Sequence, residues 1–257
     1  RLSAVAVTHF HADHTNGLAE LFSRVEIDRL YLPQIEDDYG VRDKLVALAQ
    51  EHGTQVLFVT EKQSIPLGQC SLTVFPPVGS GDPNEQGLTY LCSSGDFDLL
   101  ITGDMSGQTE LALIGQYDLP DLEVLMVGHH GSKYSSQQDF LSALTPEAAI
   151  ISVGDNSYGH PTDAAISRLE AVGAEAYRTD TQGEIIITSD GQTLTVTTDP
   201  TSREPAAGKD APFIGNRNSM IVHSASCAKL PGEDNRVYFN TAEEAEEYGY
   251  QKHTCIK

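Results

Sequence analysis

The segment LSAVAVTHFHADHTNGLAELFSRV, at the start of the chain, constrains the fold more than any other. LSAVAV is apolar and β-favouring, whereas Leu18, Leu21, Phe22 and Val25 repeat at helical spacing. THFHADHTNG is therefore the loop that joins a strand to a helix. Such loops are where α/β sheets carry chemistry. Side chains alternate faces in an extended segment, so His9 and His11 point the same way and grip one cation. Asp13 and His14 come as the chain turns into the helix and face a neighbouring position. The cluster suits two adjacent metal sites, each lacking ligands that must come from elsewhere. Borderline divalent ions such as Zn2+ take imidazole nitrogen and carboxylate oxygen, and a catalytic site leaves one position for water.

Strand ends are the places to look for those ligands. They offer Asp104 in LLITGD, His129 and His130 in LMVGHHGS, and His160 in NSYGHP. Around them the pattern alternates. Strands are predicted at RLYLP, QVLFVT, CSLTVFPP, LTYLCSS, FDLLITGD, EVLMVGHHGS, AAIISVG and AEAYRT. Helices are predicted over DKLVALAQEHG, GQTELALIGQ, SSQQDFLSAL and AAISRLEAVG, and EIIITSDGQTLTVTT reads as a hairpin on an Asp-Gly turn. The fold class is α/β. Because Arg1 stands directly before a strand-like run, the start reads as a cut edge with earlier strands missing.

The charge balance excludes one class of partner surface. Sixteen Lys and Arg stand against 37 Asp and Glu, a net charge of -21, so no extended basic groove for a phosphate backbone is expected. Any nucleic-acid contact is local or metal-mediated. No apolar run approaches the roughly 20 residues that a membrane helix needs. Four cysteines (Cys70, Cys92, Cys227 and Cys255) are too few for a disulfide scaffold. The acidic, soluble character leads us to expect an extracellular or cell-surface protein, with the cytoplasm as the alternative.

From 199 to 212 the composition changes to DPTSREPAAGKDAP, with three prolines and no periodic apolar residues, which reads as a linker. The predicted domains are thus 1–198 and a small α+β module at 213–257. A unit of about 45 residues usually needs a metal, a disulfide or a docking partner. His223 and Cys227 early and His253 and Cys255 late bracket a helix opened by the capping box TAEE from Thr241. Two His and two Cys make a structural Zn2+ set, and the alternative is a Cys227–Cys255 disulfide or free thiols.

Taken together, THFHADHTNGL, LLITGDM, VGHHGS and SYGHP resemble the metallo-β-lactamase fold. Their wording is most similar to the C-terminal domain of ComEC-type DNA-uptake competence proteins, over residues 1 to 198. The resemblance implies an αβ/βα sandwich with a dinuclear site of Zn2+ or Mn2+ at one edge. It implies that His9 and His11 bind the first metal, Asp13 and His14 the second, and that Asp104 bridges them. His160, or else His129 or His130, completes the second site. Asn84 falls where the family has its middle histidine. The tail resembles a small Ada-type metal-binding module, with His253 on the first of the usual two late cysteines and Cys255 one residue short of the second.

The expected function is a metal-dependent hydrolase in which the ions ionise a water molecule, acting on phosphodiesters such as DNA. Asp13 helps to hold the metals, His130 or His129 protonates the leaving group, and Ser132 with the amides of GHHGS holds an oxyanion. The alternatives are hydrolysis of a small ester, lactone, thioester or β-lactam, and a binding or accessory protein of weak activity.

Overall fold

The structure, a computed structural model, describes residues 1–37, 40–199, 208–248 and 250–256. The chain divides into two compact units, one of residues 1–179 with 186–197, the other of 180–185 with 198–257. Most of the predicted linker, residues 200–207, lies outside the described residues.

In chain order the large unit opens with β1 (Val5–Ala6), α1 (Ala12–Thr15), α2 (Leu18–Arg24), β2 (Arg29–Pro33), α3 (Val41–Glu51) and β3 (Gln55–Val59). The three strands form a parallel sheet in that order, with Val5 opposite Leu30 and Leu30 opposite Val56. β4 (Gln63–Leu67), β5 (Cys70–Phe75), β6 (Thr89–Ser94) and β7 (Phe97–Ile101) follow as an antiparallel meander. After α4 (Gly107–Gln116) come β8 (Val124–Met126), α5 (Gln138–Leu144), β9 (Ala148–Ile151), α6 (Asp163–Ala171) and β10 (Glu175–Arg178). The last three strands extend the meander in parallel from β7, giving a seven-stranded sheet that runs from β10 to β4. α7 (Thr179–Gln182) and the hairpin of β11 (Glu184–Ser189) and β12 (Leu194–Asp199) end this part of the chain.

Three cores account for the layering. Leu18, Phe22, Leu45 and Ala49 of α2 and α3 pack on Leu30 and Leu32 of the first sheet. Tyr31 and Val59 of that sheet meet Ile65, Val74 and Tyr90 of the second. On the far side, Leu113, Phe140, Leu141 and Leu169 from α4, α5 and α6 cover Leu100, Leu125 and Ile151. The result is the helix–sheet–sheet–helix sandwich expected, and burying each such Leu or Phe contributes roughly 1.5–3 kcal/mol. The sheet-to-sheet core also fixes the histidine loop: the Tyr90 hydroxyl donates to Val7 O at 2.7 Å, and Leu88 N donates to Thr8 O at 2.8 Å.

Several local differences from the sequence expectation have clear causes. β4 was not predicted because QSIPL contains a proline. It is the edge strand of its sheet, where a missing N–H breaks no ladder. The strand predicted over EVLMVGHHGS stops at Met126, since His129 and His130 adopt left-handed φ of 50 and 54°. The helix predicted from Ser135 starts only after Gln137, because Ser136 is left-handed as well. At the hairpin tip, the Asp190 carboxylate accepts the amides of Gln192 and Thr193, closing a loop over 190–193.

In the small unit β13 (Phe213–Asn216), β14 (Ile221–Ser224), β15 (Arg236–Phe239) and β16 (Gln251–Lys252) form a sheet in the order β15-β13-β14-β16, with α8 (Ala242–Glu247) before β16. Val222, Val237, Phe239, Ala245 and Tyr250 are its core. Gly215 has to be glycine: a Cβ there would lie 2.6 Å from the Tyr250 ring and 2.8 Å from Phe239. The Thr241 hydroxyl caps α8 by accepting Glu244 N, and the Glu244 carboxylate returns to Asn240 N.

Candidate metal centres

Asp104, His129 and His130, and His160 lie in the segments that follow the parallel strands β7, β8 and β9, and the histidine loop follows β1. These segments converge on a cavity of about 570 Å3 lined by His11, Asp13, Asn84, Asp104, His129, His130 and His160 among others. Asp104 is the hub. Its Oδ1 is 3.3 Å from His14 Nε2, and its Oδ2 is 3.9 Å from His9 Nε2 and 3.8 Å from both His129 and His130 Nε2. His130 Nε2 is also 3.2 Å from Asp13 Oδ2. The tightest ligand group is Asp13, His14, Asp104 and His130, whose donor atoms all lie within 4.8 Å of one another. His9 and His11 stand beside it, their ring centroids 4.7 Å apart.

A metal fits these residues because of what the buried atoms lack. His9, His14 and His130 Nε2 and Asn84 Oδ1 are buried without a hydrogen-bond partner, a costly state for polar atoms unless a cation takes their lone pairs. The opposite ring atoms are tied down. His130 Nδ1 is 2.6 Å from Ser152 O, and a carbonyl only accepts, so Nδ1 carries the proton and Nε2 presents its lone pair to the cavity. The Thr8 hydroxyl lies 3.1 Å from His9 Nδ1 and 3.4 Å from His14 Nδ1. With a single proton of its own it donates to at most one ring, so it accepts from the other. Gly103, at φ +64°, lets the Asp104 loop approach Thr8, since a Cβ there would meet Thr8 Cβ at 3.1 Å.

The electrostatics follow from burial and from Asp104. Burial, then the neighbouring His14, lowers the pKa of His9 to about 4. Burial works against protonation of His14 too, but Asp104 outweighs it and raises that pKa above 6.5. Burial alone would raise Asp104, yet His14, His130 and His9 hold it at about 2. Two opposite pH dependences result for the metal-free protein. His9 destabilises the fold as pH falls from 6.5 towards 4, by about 3 kcal/mol. His14 contributes stability that is fully present below 6.5 and lost as pH rises through its raised pKa. Metal affinity is expected to fall about tenfold per pH unit below the His14 pKa, as a metal displaces one proton, and more steeply near pH 4. Isothermal titration at several pH values measures that slope.

The structure places the residues predicted for oxyanion and proton chemistry as follows. Ser132, expected to hold an oxyanion, is buried and does not line the cavity. Its hydroxyl accepts Tyr134 N at 3.3 Å, so it closes the turn. The GHHGS amides are partly committed, His129 N to Gly103 O and Ser132 N to His129 O. His130, expected as a proton donor, lies inside the ligand group, while His129 and His160 line the cavity with ring centroids 5.7 Å apart. The sequence reading missed Thr8 and Tyr158. Thr8 was signalled by a hydroxyl immediately before the first histidine. Tyr158 lines the cavity, is 82% exposed and stacks on the His160 ring at 6.0 Å. Asn84 stands at the cavity wall, its loop tied to the N-terminus of α4 through Glu85 Oε2, which accepts Ser106 N at 3.2 Å and Ser106 Oγ at 3.0 Å.

The small unit gathers four candidate ligands of its own. His223, Cys227, His253 and Cys255 offer donor atoms within 4.8 Å of one another. Parallel pairing of β14 with β16 brings the His223 and His253 rings to 4.3 Å, and Cys227 Sγ lies 3.8 Å from His253 Nδ1. Both cysteines are free thiols, and His223 Nδ1 is buried without a partner.

Comparison with known proteins bears on the large unit. The profile of the Metallo-beta-lactamase superfamily matches residues 1–155. ComE operon protein 3 of Bacillus subtilis (strain 168) is 29% identical over 189 residues, covering 72% of this chain and 24% of its own. Competence protein ComA of Neisseria gonorrhoeae is 31% identical over 190 residues, covering 72% and 25%. Recombination protein 2 of Haemophilus influenzae (strain ATCC 51907 / DSM 11121 / KW20 / Rd) is 33% identical over 103 residues, covering 40% and 13%. This chain thus spans a quarter or less of the length of these relatives. Among solved structures, CmlA, a diiron beta-hydroxylase from Streptomyces venezuelae, superposes with a TM-score of 0.50 at 14% identity, over 77% of this chain and 45% of its own. With the sandwich, the strand-end ligands and the matched profile in agreement, the chain belongs to the metallo-beta-lactamase superfamily.

Proposed function

We propose that the large unit is a metal-dependent hydrolase of phosphodiesters. The observation that carries this reading is the set of bare Nε2 atoms on His9, His14 and His130 around the buried Asp104 carboxylate, at the wall of an open cavity. In this reading His9 and His11 would hold one divalent ion, Asp13, His14 and His130 the other, and Asp104 would be shared between them. Asn84 Oδ1 adds a carbonyl oxygen, a donor that suits Mn2+ better than Zn2+. Divalent ions held there would supply Lewis-acid activation of water and neutralise charge on the phosphoryl oxygens.

The chain's own residues do the rest. Ser152 O and Thr8 Oγ1 orient the ligand rings, and the exposed Asp13 carboxylate at the cavity wall is placed to take a proton from a water there. His129 Nε2, facing the same cavity, is placed to give a proton to the leaving oxygen. The exposed Tyr158 ring offers a face on which a nucleobase can stack, worth roughly 1–3 kcal/mol per base. The competence and recombination named in two relatives bring DNA forward as the phosphodiester.

The net charge of -21 favours a second reading, a small uncharged ester, lactone, thioester or β-lactam that an acidic surface does not repel. Assays of Mn2+- and Zn2+-loaded protein on a chromogenic phosphodiester, single-stranded DNA and a lactam separate the two. Turnover of the first two, lost in Asp13→Ala, supports the phosphodiesterase; turnover of the lactam alone overturns it. No turnover of any would leave a binding protein.

For the small unit we propose one structural Zn2+ on His223, Cys227, His253 and Cys255, a closed set of two nitrogens and two sulfurs.

A further inference from the structure

His129 and His130 are two consecutive non-glycine residues in left-handed backbone, at φ 50, ψ 46 and φ 54, ψ 26. L-residues seldom adopt this conformation singly and very rarely in succession, so the turn persists only if its surroundings hold it. What holds it lies behind the cavity, in residues that no step of the proposed hydrolysis uses.

Glu110 of α4 is fully buried, and its carboxylate accepts two backbone amides of the next loop, Ser136 N on Oε1 and Gln137 N on Oε2 at 3.0 Å. Ser136, itself left-handed at φ 50, passes the constraint on: its hydroxyl accepts Gly128 N at 3.3 Å, on the residue immediately before His129. Gly128 also lies against the carboxylate directly, since a Cβ there would be 3.5 Å from Glu110 Oε1. From the other side, Arg168 of α6 donates through Nε to Ser136 O at 2.8 Å and through Nη2 to Ser135 O at 2.8 Å and Lys133 O at 3.2 Å. A buried acid and a guanidinium from two different helices thus grip the donors and acceptors of one short loop. Burial raises the Glu110 carboxyl to about 7 against the pull of the two amides and of Arg168. Leaving so costly a group in the core calls for a role.

We propose that Glu110 and Arg168 are positioning residues that clamp loop 132–137 and thereby hold the His129–His130 turn in the conformation that aims its Nε2 atoms at Asp104. The proposal rests on the reading of those histidines as part of a metal centre, but it can be tested apart from it. Glu110→Gln puts an amide N–H₂ against a backbone donor. Arg168→Met keeps an apolar stem in place of a half-buried side chain and removes its donors, and it carries the test if Glu110→Gln does not fold. Leu113→Ala, on the same helix as Glu110 but in the core cluster, controls for loss of stability alone.

Two readouts on the full chain decide. In metal-free protein, amide exchange at residues 128–131 is expected to quicken at least tenfold relative to β8 in both clamp variants and to keep its wild-type ratio in Leu113→Ala. In titrations with Co2+ of chains that also carry Cys227→Ser and Cys255→Ser, which removes the small unit's thiolates, the clamp variants are expected to bind about 10–100-fold more weakly, followed by visible absorption. Wild-type exchange ratios in both clamp variants would overturn the clamp whatever the metals do, as would Co2+ binding of wild-type strength. A chain with Cys227→Ser and Cys255→Ser alone that takes up no Co2+, while the turn loosens in the clamp variants, would sink the metal reading and leave the clamp standing.

Discussion

Asp104→Asn is expected to lower kcat/KM of the metal-loaded protein about a thousandfold or more and to strip the large unit of tightly bound metal, with its circular dichroism unchanged. The substitution keeps the shape and removes one charge. That charge is a buried carboxylate facing four histidines, within 3.3–3.9 Å of the Nε2 atoms of His14, His9, His129 and His130. With the acid held at about 2, Asp104 is an anion at every working pH. Losing the ion and its charge stabilisation forfeits several kcal/mol of the barrier reduction, and about 4 kcal/mol already corresponds to a thousandfold. Equal turnover by the wild type and Asp104→Asn, assayed on the chromogenic phosphodiester, would remove Asp104 from the centre of the account.

The second large effect is expected in the small unit. Its described core of Val222, Val237, Phe239, Ala245 and Tyr250 is slight for a fold of this size. A structural Zn2+ on four such ligands contributes on the order of 10 kcal/mol or more at neutral pH, which exceeds what so small a core supplies. Chelation, or Cys227→Ser, is therefore expected to unfold residues 213–256 while the large unit stays folded. Amide exchange resolved by segment distinguishes the two. Protection of β13 to β16 that survives a strong chelator would show that the sheet stands without metal.

The strand-end positions of the candidate ligands were legible in the sequence because period-2 and period-3.6 patterns alternate cleanly around them. His9, Asp104, His129 and His160 all fall in segments that follow a strand. Ligand partnership was less legible. The role of His130 depends on two left-handed residues and on a carbonyl, Ser152 O, that is 22 positions away. Ser132 was read as a functional hydroxyl, and the fold shows it buried and accepting Tyr134 N. β4 was hidden by Pro66, whose penalty disappears at a sheet edge. Glu110 gave no signal at all, since one acid in an amphipathic helix looks like a solvated face until its burial is known. The capping box at Thr241, by contrast, is a local device and needed nothing from the rest of the chain.

The most direct test of the metal centre is elemental analysis of the chain carrying Cys227→Ser and Cys255→Ser, loaded with Mn2+ or Zn2+ and freed of loose ions. These substitutions remove the thiolates of the small unit, so retained metal belongs to the large one. The account predicts at least one tightly held ion per chain, reduced to none when Asp104→Asn is added. A loaded chain that retains no transition metal, with the large unit folded, would contradict it.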